Sequence, residues 1–132
     1  MIVFVDTNVL FSSFYNSNSI PGKAIIKASE YPYSLFTSDY CLSELYSVVN
    51  KKKPELLGVF VSNLFFLLPQ LNIVHVNSNK TEILIRDKND VPVIEAALLI
   101  DADIIITGDK DLLEFKIDKP KIITPRDFID NY

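Results

Sequence analysis

Four acidic residues stand where side chains could do chemistry: Asp6, Glu44, Asp90 and Asp109. Asp6 follows the apolar run Ile2-Val3-Phe4-Val5, and Asp109 follows a second run at 104–107. Asp90 opens a segment beginning Val91-Pro92. Glu44 lies in a stretch whose apolar positions Leu42, Leu45, Tyr46 and Val49 have helical spacing. At about 100° per residue Glu44 falls beside that apolar arc, near Val48, and can look toward a neighbouring strand end. If the four meet, their chemistry is narrowly constrained. Two carboxylates ~4 Å apart repel by about 4 kcal/mol at an effective dielectric near 20. Without a cation, some would take up protons through raised pKa values. A hard divalent ion with a preference for oxygen ligands removes the conflict. It can also lower the pKa of water and stabilise charge on a phosphoryl oxygen. An acid-only pocket with no His, Cys or Lys nucleophile suits metal-assisted phosphodiester hydrolysis.

Each acid also has a plainer explanation. Asp6, Asp90 and Asp109 stand at helix starts, where aspartate is a common N-cap. Glu44 taken alone is what a solvated helix face carries. Their joint placement favours chemistry over four separate structural duties.

The elements that must hold these acids can be read from the same sequence. Strands are expected at 2–5, 33–37, 71–76, 103–107 and 121–123. Helices are expected from Val9 onward, at 23–29, after an N-cap at Ser38, and at 55–68, 78–86, 90–101 and 109–115, with a loop at 17–22 and a final turn after Pro125. Strands alternating with helices imply an α/β fold with a central parallel sheet covered on both sides. In such folds ligands bind at the carboxyl ends of the strands, which is where Asp6 and Asp109 are placed.

The 132 residues fit a single domain spanning 1–132, and 48% hydrophobic with 23% charged residues is an ordinary globular composition. A net charge of −4 argues against a general nucleic-acid binder held by phosphate contacts. It does not exclude an enzyme that sets divalent cations between its acids and a phosphate. The single cysteine, Cys41, excludes an internal disulfide and a Cys-based zinc cluster, and fits a reducing cytoplasm. The apolar run after Met1 is too short for a signal peptide. The stretch at 56–68 falls short of the roughly 20 residues of a membrane span.

The segments around the four acids resemble those of the PIN-domain family, in the right order, from Met1 to about Phe115. Ile2-Val3-Phe4-Val5-Asp6-Thr7-Asn8-Val9-Leu10 resembles its opening motif, and Ser43-Glu44-Leu45 its second acidic station. Arg86-Asp87-Lys88-Asn89-Asp90-Val91-Pro92-Val93-Ile94 resembles the third, and Thr107-Gly108-Asp109-Lys110-Asp111-Leu112-Leu113 the fourth. That resemblance implies a three-layer α/β/α domain whose carboxylate cluster holds Mg²⁺ or Mn²⁺ and whose substrate is RNA. Small members similar to the VapC group are toxins of bacterial toxin–antitoxin pairs and commonly homodimers, so an antitoxin and a second subunit are implied partners. By position, Asp6, Glu44 and Asp90 would be the main metal ligands, with Asp109 joining directly or through water. Thr7, Asn8, Thr107 and Asp111 would orient the carboxylates. One departure is that Pro92 and Glu95 intervene before the small residues Ala96-Ala97.

Other residues carry less. His75, the lone histidine, reads as structural, and Cys41 as a small core residue. Lys51 to Lys53 read as a solvated helix end, with RNA phosphate contact as the alternative. Phe11, Phe14 and Tyr15 either pack or stack on bases. The helix at 57–68 is apolar over more than one face and needs cover from a second subunit or an antitoxin segment. Two rival functions remain: a non-catalytic PIN-fold binding module, and phosphotransfer through an aspartyl phosphate. The second is disfavoured because Thr7-Asn8 follows Asp6 and no lysine closes a strand.

Overall fold

The computed structural model describes residues 1–76 and 91–132. The helix expected at 78–86, and with it Asp87 and Asp90, lies outside the described residues. The chain alternates as expected. Strand β1 (Ile2–Val5) leads to helices α1 (Thr7–Tyr15) and α2 (Ile20–Ala28), then β2 (Ser34–Ser38) and α3 (Asp39–Lys52). Helix α4 (Leu57–Leu67) precedes β3 (Leu71–Val74), and α5 (Val91–Leu99) precedes β4 (Ile104–Ile106). Helix α6 (Lys110–Glu114), β5 (Lys121–Ile123) and α7 (Pro125–Asn131) complete it.

All four strand pairings are parallel, in the order β3-β2-β1-β4-β5. Side chains alternate across the strands, and both faces are buried. Val3, Val5, Leu35, Ile104 and Ile106 enter one core, against α1, α2, α3, α4 and α7. Phe4 and Ile105 enter the other, against α5 and α6. The run Ile2-Val3-Phe4-Val5 is apolar throughout because neither face of its strand meets water. The result is the expected three-layer arrangement with a central parallel sheet.

Local boundaries differ in instructive ways. Helix α2 starts at Ile20, inside the loop expected at 17–22, because Ser19 Oγ accepts the Gly22 amide at 3.1 Å and Pro21 suits a first turn. A Cβ at position 22 would collide with the backbone of Ser17, so the tight approach there needs glycine. The single helix expected at 55–68 is α4 flanked by 3-10 turns, Pro54–Leu56 and Leu68–Gln70, each opening near a proline. The turn expected after Pro125 is a helix: Thr124 Oγ1 accepts the Asp127 amide at 3.1 Å, and Pro125 needs no donor in the first turn.

Strand order sets the position of the site. Connections from β1 through β2 to β3 move along the sheet one way, with helices on one face. Strand β4 then pairs on the other side of β1, after a helix on the opposite face. The carboxyl ends of β1 and β4 therefore flank a topological switch point, where the outgoing helices diverge and leave a crevice.

Candidate active site

Asp6 ends β1 and caps α1. Its Oδ1 accepts the Thr7 amide at 2.7 Å. Its Oδ2 accepts the Thr107 hydroxyl at 2.8 Å and the Asn8 side-chain amide at 3.3 Å. Thr107 follows β4, so one carboxylate is gripped from both sides of the switch point. The Thr107 hydroxyl in turn accepts the Asp109 amide at 3.0 Å, and Asn8 Oδ1 accepts the Gly108 amide at 3.1 Å. These bonds set the loop after β4 against the start of α1 and bring Asp109 beside Asp6. Asp109 caps α6, its Oδ1 accepting the Asp111 amide at 2.8 Å.

Glu44 arrives in the second turn of α3, beyond the N-cap made by Ser38 Oγ and the Cys41 amide at 3.1 Å. The Thr7 hydroxyl donates to the Cys41 carbonyl at 3.2 Å, which ties the start of α1 to α3. Thr37 Oγ1 donates to the Val5 carbonyl at 3.0 Å and fixes the last residue before Asp6. Neither tie has a sequence signature, because the partners are more than thirty residues apart.

Asp6, Thr7, Asn8, Glu44 and Asp109 line one cleft of about 290 Å³ together with Phe11, Ser12, Val48 and Lys52. Three of the four acids singled out in the sequence thus share a cavity, and Asp90 lies outside the described residues. Val48 beside Glu44 is the neighbour that helical spacing predicts. Sequence reasoning missed Ser12 and read Lys52 first as part of a solvated helix end, with RNA phosphate contact as the alternative, although Glu44, Val48 and Lys52 recur every fourth residue.

Burial raises the Asp6 carboxyl from 3.8 to about 6, and the nearby charges of Glu44 and Asp109 push the same way. The hydrogen bonds from Thr107 and Thr7 oppose that shift without cancelling it. Free of any cation, Asp6 is therefore an acid whose ionised form is disfavoured but already oriented by three donors. Such a group suits a hard divalent cation, and every acid lining the cleft offers oxygen. Among the described residues no three His, Cys, Asp or Glu side chains are gathered closely enough to hold a metal ion by themselves. On α5, the helix that Asp90 precedes, Glu95 has one carboxylate oxygen buried without a hydrogen-bond partner among the described residues.

Other residues singled out in the sequence do not line the cleft. Cys41 is fully buried, and desolvation lifts its thiol to about 11, so it is inert packing. His75 stands at the end of β3 with its side chain 86% exposed, its Nδ1 3.0 Å from Asp39 Oδ2. Phe14 is buried, while its neighbour Tyr15 is exposed and stacks on Phe11 with ring centroids 6.3 Å apart.

Comparison with known proteins bears on the family and the fold. The family profile described as PIN domain matches residues 2–111. The uncharacterized protein MJ1680 of Methanocaldococcus jannaschii is 32% identical over 98% of this chain and 90% of its own length. The fold is similar to that of VapBC2 from Rickettsia felis, solved bound to a DNA fragment from its promoter, with a TM-score of 0.68 at 21% identity over 93% of this chain and 97% of that one. It is also similar to Mycobacterium tuberculosis VapC20, described as a sarcin-ricin loop cleaving toxin, with a TM-score of 0.57 at 16% identity over 83% of this chain and 91% of that one. With the sheet order, the switch-point acids and a profile match over most of its length, the chain belongs to the PIN-domain family.

Proposed function

We propose that residues 1–132 form a single-domain, divalent-metal-dependent endoribonuclease that hydrolyses RNA phosphodiesters. One observation carries this: Asp6, Glu44 and Asp109, from three distant parts of the sequence, open into one cleft at the switch point of a PIN fold. Asp6, Glu44 and Asp90 would hold Mg²⁺ or Mn²⁺, with Asp109 contributing directly or through water. When bound, the cation supplies positive charge for the phosphoryl oxygens and makes water a better nucleophile near neutral pH. The chain's own residues supply the rest. Thr107, Asn8 and the Thr7 amide fix both oxygens of Asp6, so no reorganisation is needed as charge develops. The Asp111 amide holds Asp109 in one rotamer. Phe11 and Val48 form the apolar flank of the cleft and limit water near the acids.

The biological role that best suits this chain is the toxin of a toxin–antitoxin pair, supported by its likeness to VapBC2 and VapC20. An antitoxin and a second copy of the chain are candidate covers for α4. Phe65 and Phe66 there are 73% and 83% exposed.

Purified protein is expected to cut single-stranded or structured RNA with Mn²⁺ or Mg²⁺ and to stop in EDTA. If Asp6→Asn folds normally and cuts as fast as wild type, the nuclease assignment is wrong. A second reading, a non-catalytic PIN-fold module, draws on the lack of a closed three-acid group among the described residues. Calorimetric titration decides: no Mn²⁺ binding at millimolar concentration favours the inert module.

A further inference from the structure

The cleft is chemically polarised. Its acids, Asp6, Glu44 and Asp109, occupy one end, and Lys52 lines the same cleft from the last position of α3. Glu44, Val48 and Lys52 stand at successive i, i+4 positions, so they form one stripe along α3. Eight residues at 1.5 Å each separate Glu44 from Lys52 by about 12 Å along the helix axis. Lys52 is thereby set back from the acids along α3, at a spacing that lets one strand reach both ends of the stripe.

A polyanion entering a cleft lined by three carboxylates is repelled over its whole length. A divalent cation among the acids relieves the repulsion only at the phosphate it meets, and flanking phosphates need another positive charge. Lys52 is the only cation lining this cleft among the described residues, and no carboxylate there pairs with it. Its neighbour Lys53 is engaged elsewhere, with Nζ 5.8 Å from the centroid of the Tyr15 ring. Phe11 lines the same cleft.

We propose that Lys52 is a substrate-positioning residue that grips a flanking phosphate of a single nucleic-acid strand laid along the groove between α1 and α3. The inference rests on the nuclease assignment for the acid end but adds a polarity and a subsite to it. A contact to a phosphate away from the reacting one is equally strong before and during reaction, so it acts on KM and leaves kcat nearly unchanged.

The test combines cleavage kinetics in Mn²⁺ with fluorescence anisotropy of a labelled single-stranded RNA in Ca²⁺, using wild type, Lys52→Gln and Lys52→Arg. Lys121→Gln serves as a charge-matched control, because Lys121 starts the edge strand β5, at the amino end of the sheet and outside the cleft. Lys52→Gln is expected to raise KM and the dissociation constant about five- to tenfold, with kcat changed by less than about twofold, and to make the salt slope of log K shallower by about 0.7. Lys52→Arg should restore most of the loss, and Lys121→Gln should match wild type. A Lys52→Gln protein with wild-type KM and salt slope overturns the proposal, as does an equal loss in Lys121→Gln. If RNA is bound through Lys52 but never cut, the nuclease assignment fails and the strand subsite stands. If RNA is neither bound nor cut, both fail.

Discussion

The Thr107 hydroxyl donates to Asp6 Oδ2 at 2.8 Å across 101 residues of sequence, and it joins the ends of β4 and β1. The same hydroxyl oxygen accepts the Asp109 amide, so a single side chain aligns two of the cleft acids. Thr107→Val keeps the shape and removes both bonds. Leaving a buried carboxylate and an amide short of partners is expected to cost about 1–3 kcal/mol of stability at neutral pH. Thr107→Ser should recover most of it. Urea unfolding of the three proteins checks this, and equal midpoints for wild type and Thr107→Val would show that the bond contributes nothing.

Asp6→Asn removes the charge while nearly preserving volume. Under the nuclease assignment it is expected to lower kcat/KM by at least about 10²-fold, or roughly 3 kcal/mol of transition-state stabilisation. Calorimetry in parallel should show weakened Mn²⁺ binding. Loss of cleavage with unchanged Mn²⁺ affinity would place the cation elsewhere.

The raised pKa of Asp6 makes both stability and metal binding depend on pH. In the folded, metal-free protein this carboxyl titrates near 6, against 3.8 without its surroundings. The folded state therefore holds this proton more tightly than the unfolded chain. The associated stability is fully present below the unfolded value and is lost as pH rises through about 6, an effect of up to about 3 kcal/mol. A divalent cation must displace that proton at low pH and meets the ionised form at high pH. The gain in Tm on adding Mn²⁺ is thus expected to be larger at about pH 7 than at about pH 5. Equal gains at both would mean that Asp6 does not titrate in this range or does not meet the cation.

Lys27 joins α2 to the carboxyl end of the chain. Its Nζ donates to the carbonyls of Phe128, Ile129 and Tyr132 at 3.3, 3.1 and 2.7 Å and lies 5.3 Å from the Phe128 ring centroid. A cation there satisfies carbonyls that the end of α7 leaves open. Lys27→Met keeps the stem and is expected to cost about 1–2 kcal/mol, with cleavage per folded molecule unchanged. Thermal melts and a specific-activity assay together check it, since a change in activity would tie α7 to the cleft.

Helix α4 combines a packed residue with an unpacked face. Phe60 is buried against Phe11 and Phe14, with ring centroids 5.2 and 6.1 Å away, so Phe60→Ala is expected to destabilise by about 3–5 kcal/mol. The double change Phe65→Ser, Phe66→Ser touches only exposed rings. It should leave the melting midpoint within a few degrees of wild type and shift sedimentation toward monomer if a second copy covers this face. Unchanged sedimentation would leave the face to another partner.

Short-range pattern specified the elements and the identity of the acids. The alternation of Val3 and Val5 against Phe4 is visible as an unbroken apolar run, because a strand covered on both faces admits no polar position. Asp6 and Asp109 were legible as strand-end residues, and Ser38 as a cap, since capping and periodicity act over a few residues. Ser19 and Thr124 carry the same capping chemistry, but the polar loop and short tail around them masked it.

Which strand ends meet was settled by long-range packing. Placing β4 beside β1, not beyond β3, depends on a crossover that changes face, a choice made between segments about a hundred residues apart. That choice puts Thr107 against Asp6 and buries Asp6 far enough to raise its pKa, while the Thr7–Cys41 tie sets α3, with Glu44 and Lys52, along the same cleft. Local pattern names the residues; non-local packing sets the distances between them, and the chemistry depends on those distances.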